Sequence, residues 1–388
     1  MRSRKNDTIT SEDVHGIARR WLMNQLSFQQ GYKCTAPVLL NILLLAAARA
    51  TSIFDVCRDL VKAPSAHAVL DALEATLPDA VTLEKRLNQS LCADLPRALR
   101  RRKWAVAIDL TLIPYYGKPH ETEEEIYRSQ PKSGTSNFHS YATACVIHQG
   151  FRYTLGLVRV TRGEKMESVV KRLLRIVRDR GVKIAYTLLD RGFFTFNVMQ
   201  YLKRAGYPFV IPVVMRGRKK KDSKATETGL RQFKTKRNGC YPYKLVAKKK
   251  AGVNIDIYVA SKRYEHKKTG KLFFKKLVFA VSRLKGLPKE IREQYRKRFG
   301  IESSYRQMNQ ARIRTCARDP VLRLLFVGIA LVLRNVWVWL HYTYFAEKDG
   351  PEPTLHLEML RLKRMLRWIA QIVERTLHTG DLFCVDIE

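Results

Sequence analysis

Residues 104 to 213 set two hydrophobic periods against each other, and few folds accommodate the order in which they come. "KWAVAIDLTLI" is apolar on both faces and predicts a buried strand running into Asp109. "SYATACVIH" and "FRYTLGLVRV" follow as two more strands, joined closely enough for a hairpin. "EKMESVVKRLLRIVRDRG" repeats its apolar residues at spacings of three and four, as an amphipathic helix does, and stops at Gly181. "KIAYTLLD" is a fourth strand ending on Asp190, "FNVMQYLKRAG" a second helix and "YPFVIPVV" a fifth strand. Strand, strand, strand, helix, strand, helix, strand predicts a mixed α/β sheet flanked by helices.

The flanking segments differ in texture. Residues 1–100 read as a helical N-terminal domain, expected to bind DNA, with periodic runs in "DVHGIARRWLMNQL", "APVLLNILLLAAARA", "SIFDVCRDL" and "AHAVLDALEATL". Ser52 and Ser65 stand where N-caps belong. The short helices over 36–76 suit either a helix-turn-helix, with the segment from Ser65 in a DNA groove, or a small bundle that touches no groove. The core is expected over 101–212 and again over 286–345. It is interrupted at 213–285 by a β-rich insertion whose strands are "YKLVAKK", "VNIDIYVA" and "KLVFAVSR". One helix is predicted over 288–310, an apolar one over 320–345, and an amphipathic one within the C-terminal segment 346–388.

Charge narrows the partner. The chain carries 72 Lys and Arg against 35 Asp and Glu, a formal net charge of +37. Residues 216–285 alone hold 23 of the cations and four of the acids, a net +19. Such an excess favours a polyanion, nucleic acid before membrane surface. Within the insertion, Lys219, Lys220, Lys221, Lys248, Lys249 and Lys250 are the expected contacts to DNA backbone. "VLRLLFVGIALVLRNVWVWLHYTYF" has the length of a membrane span, but Arg323, Arg334, Asn335 and His341 interrupt it, so a buried core helix and no membrane partner are expected. The seven cysteines have no zinc spacing, which predicts reduced thiols and no structural metal. "MRSRKNDTIT" has no apolar run behind its charges, so a cytoplasmic, nucleoid-associated protein is expected rather than a secreted one.

Three acids remain for chemistry. Asp109 and Asp190 are each read as closing a hydrophobic strand. One such Asp is commonly a cap, but two on neighbouring strands repel unless cations intervene. The third acid is the lone carboxylate of "YRKRFGIESSYRQ", Glu302. In an unbroken helix Tyr295, Arg298, Glu302 and Arg306 fall within roughly 80° of one another, on the stripe of Ile291 and Phe299. That pattern fits an exposed Arg298–Glu302–Arg306 ladder as well as an acid aimed at the core. Three carboxylates would suit Mg²⁺, with Mn²⁺ as a substitute, and two such ions about 3.5 to 4 Å apart can clamp both oxygens of a phosphodiester displacement. The acidic "ETEEE" reads as a solvated run, and His139 as a DNA contact or a core residue.

"AIDLT", "LLDRGFF" and "YRKRFGIE" together resemble the DDE transposases of bacterial and archaeal insertion sequences, which have a ribonuclease-H-like core. The closest likeness is to the branch with a Tyr-x-x-Arg-x-x-x-Glu helix and a β-rich insertion. The resemblance implies a ribonuclease-H-like mixed sheet, with Asp109, Asp190 and Glu302 as catalytic metal ligands. It implies that Tyr295, Arg298 and Arg306 hold flanking phosphates. Part of the branch has a Lys seven residues after the Glu, where this chain has Asn309, and Arg306 is the substitute. The implied activity is metal-dependent cleavage at transposon ends and transfer of the 3′-OH into target DNA, by a homodimer on double-stranded DNA. A transposase-derived DNA-binding protein, or a nuclease without strand transfer, is the alternative.

Overall fold

The computed structural model describes residues 8–28, 31–148, 151–218, 227–247, 252–266, 269–270, 272–347 and 354–380. Six helices come first: α1 (Ser11–Met23), α2 (Ala36–Arg49), α3 (Ile53–Asp59), α4 (Ala66–Thr76), α5 (Ala80–Leu91) and the short α6 (Ala98–Arg101). Four strands follow, β1 (Lys103–Pro114), β2 (Tyr127–Lys132), β3 (Thr135–His148) and β4 (Phe151–Val160). Next come α7 (Met166–Asp179), β5 (Lys183–Leu189), α8 (Phe196–Arg204) and β6 (Phe209–Pro212). The insertion supplies β7 (Gly239–Leu245), β8 (Val253–Glu265) and β9 (Leu272–Ser282). The chain closes with α9 (Pro288–Arg296), α10 (Phe299–Met308), α11 (Pro320–Leu340) and α12 (Leu362–Leu377).

The strands form one sheet in the order β2-β3-β1-β5-β6-β9-β8-β7, with β4 beside β3. β1 is antiparallel to β3 and parallel to β5, β5 is parallel to β6, and β9 is antiparallel to β6. This is the expected ribonuclease-H-like mixed α/β sheet flanked by helices, and the insertion continues it rather than standing apart. Ser52 and Ser65 are N-caps, their hydroxyls accepting from the backbone N–H of Asp55 and Ala68.

Two expectations need correction. β1 does not end at Asp109 but runs on to Pro114, because Asp109 keeps its ladder position opposite Thr143 of β3. The single helix over 288–310 is two, with the break at Lys297–Arg298. The break turns Phe299 out to 50% exposure and Arg298 in to 6%, so the two residues do not share a stripe. Gly300 allows the second piece to lie close on the sheet, since a Cβ there would meet Ile147 of β3 at 3.1 Å.

β4 is an edge strand whose free backbone is taken up by side chains. Asn335 of α11 exchanges two bonds with Thr154, Asn88 of α5 exchanges two with Leu157, and Glu84 accepts from the N–H of Arg159. Amides thus do the work of a further strand and fasten two helices to the sheet. α11 is apolar and long enough to cross a membrane, yet 94% of that apolar stretch is buried, against α1, α2, α5, α10, α12 and β4. α12 packs on α1 and α2, so the two ends of the chain share one helical layer. α2 and α3 meet at 108°, and the outward side chains of α4 include Asp71 and Glu74 but no Lys or Arg. A helix with that face would repel a phosphate backbone.

Candidate functional site

The three acids singled out in the sequence come together, from separate elements, around one cation. β1 carries Asp109 into the sheet, 8% exposed, with its Oδ1 accepting from the N–H of Leu110 at 2.9 Å. β5 ends at Leu189, so Asp190 stands at the rim where the strand gives way to a turn. α10 presents Glu302 one turn from its start. Arg298, in the break before α10, donates through Nη1 to Asp109 Oδ2 at 2.8 Å and through Nη2 to Glu302 Oε1 at 2.8 Å. Its Nη2 also lies 3.6 Å from Asp190 Oδ1.

The helix break explains how Arg298 reaches all three. Its guanidinium is buried between the rings of Tyr295 and Phe299, 5.6 and 5.4 Å from their centroids. Tyr295 in turn leans on Phe279 of β9, which ties the insertion to the site. The Arg298 Nε has no hydrogen-bond partner among the described residues. Tyr305, not among the residues expected at the site, donates to the carbonyl of Asp109 at 2.9 Å. That leaves the Thr143 hydroxyl, 2.8 Å away, to donate to Tyr305. The signal for Tyr305 was its place three residues after Glu302, the spacing that returns a side chain to the same helix face.

The electrostatics are unbalanced. When all three acids are ionised, one guanidinium faces three carboxylates. Burial pushes the Asp109 carboxyl up to about 6; Arg298 opposes the shift, while Asp190 and Glu302 add to it. Burial likewise raises the Tyr295 and Tyr305 hydroxyls, so both stay protonated. The side chains of Asp190 and Glu302 are 44% and 40% exposed against 12% for Asp109, so the cluster opens toward solvent on their side.

The donor set fits a hard divalent cation in kind and in charge: three carboxylates, short of positive charge, with one open side. As placed, the three acids do not point at a shared metal position, and no other group of three His, Cys, Asp or Glu side chains among the described residues does so. The three acids converge on Arg298 instead. Arg306 is exposed and makes no hydrogen bond or ion pair with these acids. Lys219, Lys220, Lys221, Lys248, Lys249 and Lys250 lie outside the described residues. In "ETEEE", Glu125 is buried and accepts from the backbone N–H groups of His120 and Glu121, so it is a loop-closing residue rather than a solvated one.

Comparison with known proteins bears on this segment. The family model described as transposase DDE domain matches residues 100–336. Among solved structures the chain is similar to a piggyBac transposase, determined as a synaptic complex with hairpin DNA. The TM-score is 0.51 at 12% identity, over 98% of this chain and 77% of that one, a likeness of fold. No curated protein matches the sequence.

Proposed function

Because the chain belongs to the transposase DDE domain family, we propose that it cuts DNA at the ends of a mobile element and joins the freed 3′-OH to target DNA. The observation that carries this reading is the Arg298 guanidinium joined to Asp109, Asp190 and Glu302, an Asp-Asp-Glu set inside the matched segment. Mg²⁺, or Mn²⁺ in its place, would be held by those three carboxylates, with Arg298 giving up Asp190 or Glu302 as they turn to it. The chemistry such ions supply when bound is stabilisation of charge on the attacking, leaving and phosphoryl oxygens.

The chain's own residues do the rest. Leu110 N–H holds the Asp109 carboxylate and the Tyr305 hydroxyl the backbone carbonyl of the same residue, so the deepest acid is placed before DNA arrives. Asp190 and Glu302, more exposed, face the side from which a phosphodiester enters. Once released from a carboxylate, Arg298 has donors to offer a phosphate oxygen, which is why a site short of positive charge would keep an arginine. Tyr295 holds the guanidinium in place. The basic surface draws the duplex in, and two copies of the chain on paired ends make the working assembly.

The test is cleavage of a duplex carrying the element's end, with Mg²⁺, by wild type and Glu302→Gln at equal occupancy. Glu302→Gln keeps the shape and loses the charge, so cleavage falls by several orders of magnitude while end binding in metal-free buffer is retained. Asp109→Asn and Asp190→Asn behave alike, and pairing any two adds little. Equal rates for wild type and Glu302→Gln would remove Glu302 from the site and leave it a salt bridge, whose loss costs well under ~1 kcal/mol. Cutting without joining would make the chain a nuclease.

A further inference from the structure

After α10 the chain runs from Asn309 to Asp319 without regular structure before α11 begins. This segment carries Arg312, Arg314 and Arg318, and none of them is ion-paired to a carboxylate among the described residues. Where it crosses β1 and β3 it closes over a cavity of about 10 Å³, lined by Ile113, His139, Tyr141, Arg312, Thr315 and Arg323 among others. That volume takes one oxygen-sized atom.

The walls offer that atom donors and no acid. His139 is 3% exposed and its Nε2 has no hydrogen-bond partner among the described residues. Arg323 is 8% exposed; its Nε donates to the Ala317 carbonyl at 2.7 Å and its Nη2 to that of Thr315 at 3.3 Å. The guanidinium lies 4.7 Å over the Tyr115 ring, again without a carboxylate. Among the described residues Arg312 donates only to Asn309 Oδ1, at 3.2 Å. Asp319, the acid at the end of the segment, is committed to capping α11 through Val321 and Leu322. Burial lowers the proton affinity of both guanidiniums, and Arg323 adds its charge to the effect on Arg312. A buried cation is ordinarily paired, and Arg323 shares this pocket with a second, half-buried guanidinium and with an imidazole that packs edge-on against Tyr115 but leaves its Nε2 without a partner among the described residues, a lining that calls for an anion.

We propose that this pocket receives one phosphate oxygen of the DNA that enters the acidic site. The proposal rests on the reading of the chain as a DNA-processing enzyme and adds to it a seat of which the sequence singled out His139 alone. Ile113 is four residues along β1 from Asp109, about 13 Å at the rise of a strand, so one duplex spans both. The oxygen enters past Arg312 and Thr315, the half-exposed members of the lining. Seated there, one phosphate fixes the register in which the next part of the strand meets Asp109, Asp190 and Glu302.

Arg312→Gln tests this, because among the described residues Arg312 bonds to no other element, and the variant should melt with the wild type. Affinity for an end-containing duplex is measured against salt in metal-free buffer for wild type, Arg312→Gln and Arg312→Lys. Arg312→Gln should flatten the slope by about 0.9, the share of one phosphate, and Arg312→Lys should restore it. A second measurement replaces the DNA phosphates one at a time by neutral methylphosphonates. Wild type should lose affinity at one position where Arg312→Gln, and likewise His139→Gln, loses nothing further. Identical slopes and identical methylphosphonate profiles in wild type and variants would overturn the seat while leaving the DNA reading intact. Failure of the wild type to bind any duplex would overturn both. Inorganic phosphate is the remaining arm: if it raises the melting temperature of wild type but not of Arg312→Gln, and the profiles agree, the pocket takes a free anion and the proposal is wrong.

Discussion

Arg298 and His139 are both buried nitrogen bases, and their surroundings treat them in opposite ways. Three carboxylates surround Arg298, whereas the charges near His139 are those of Arg323 and Arg159. Burial first, then those two arginines, push the His139 imidazole down to about 3. In an unfolded chain it takes its proton near 6.5, so between those values the unfolded state binds more protons. Stability contributed by neutral His139 is therefore complete above about pH 6.5 and is lost as pH falls toward 3. From pH 7 to pH 5 the loss is about 2 kcal/mol. Urea midpoints at the two pH values should drop less in His139→Gln than in wild type; equal drops would mean the ring is hydrated. The surroundings of Glu302 are only partly legible in the sequence. Its motif lies within eight residues of one segment, and short-range spacing survives in a sequence. The inward turn of Arg298 does not, because apolar periodicity predicts one helix through the break at Lys297–Arg298. Tyr305 was hidden because its partners, Asp109 and Thr143, are remote in the chain and meet only through the β1–β3 ladder.

Elements with a buried face were readable, and those without one were not. β1, β3, β4, β5, β8 and β9 lie on their apolar patterns, whereas β7 starts at Gly239, ahead of the expected "YKLVAKK", and overlaps it only over 243–245. β2, "YRSQPK", escaped because most of its residues are exposed, so it has no alternation to read. Helix crossings are likewise invisible to periodicity. At Gly328, α11 lies so close to α5 that an added Cβ would sit 2.5 Å from both methyls of Leu87, which is fully buried. Gly328→Ala should therefore destabilise by about 1–3 kcal/mol despite the better helix propensity of alanine. Gly328→Ala combined with Leu87→Val should recover part of that. Denaturant unfolding of the single and double variants checks it, and no loss in the single would mean the helices part freely. The same contact matters for the sheet edge, since α5 and α11 carry Asn88 and Asn335 to β4.

At the scale of the whole molecule, the helical N-terminal region and the C-terminal helix make one layer. Arg49 of α2 pairs with Glu374 of α12, and the backbone beyond α12 bonds to the end of α3 and the residues after it, Val61 N–H to the His378 carbonyl and Gly380 N–H to that of Asp59. α2 has apolar residues buried on every side, Leu39, Leu40, Ile42, Leu43, Leu44 and Leu45 all at 0% exposure. A fragment of residues 1–100 lacks α11 and α12, so it should not unfold cooperatively and should bind an apolar dye; adding residues 354–388 in trans should reduce dye binding. A sharp, two-state melt of the fragment alone would contradict this. The shared layer also sets a clock. A ribosome working at about 5–20 residues per second needs roughly 15 to 65 s to pass from the end of α2 to the start of α12. For that interval one flank of α2 waits for a partner not yet made, and only the last stretch of translation shields it. A message truncated late, after every residue of the acidic cluster has been translated, should still yield a chain that aggregates or is degraded.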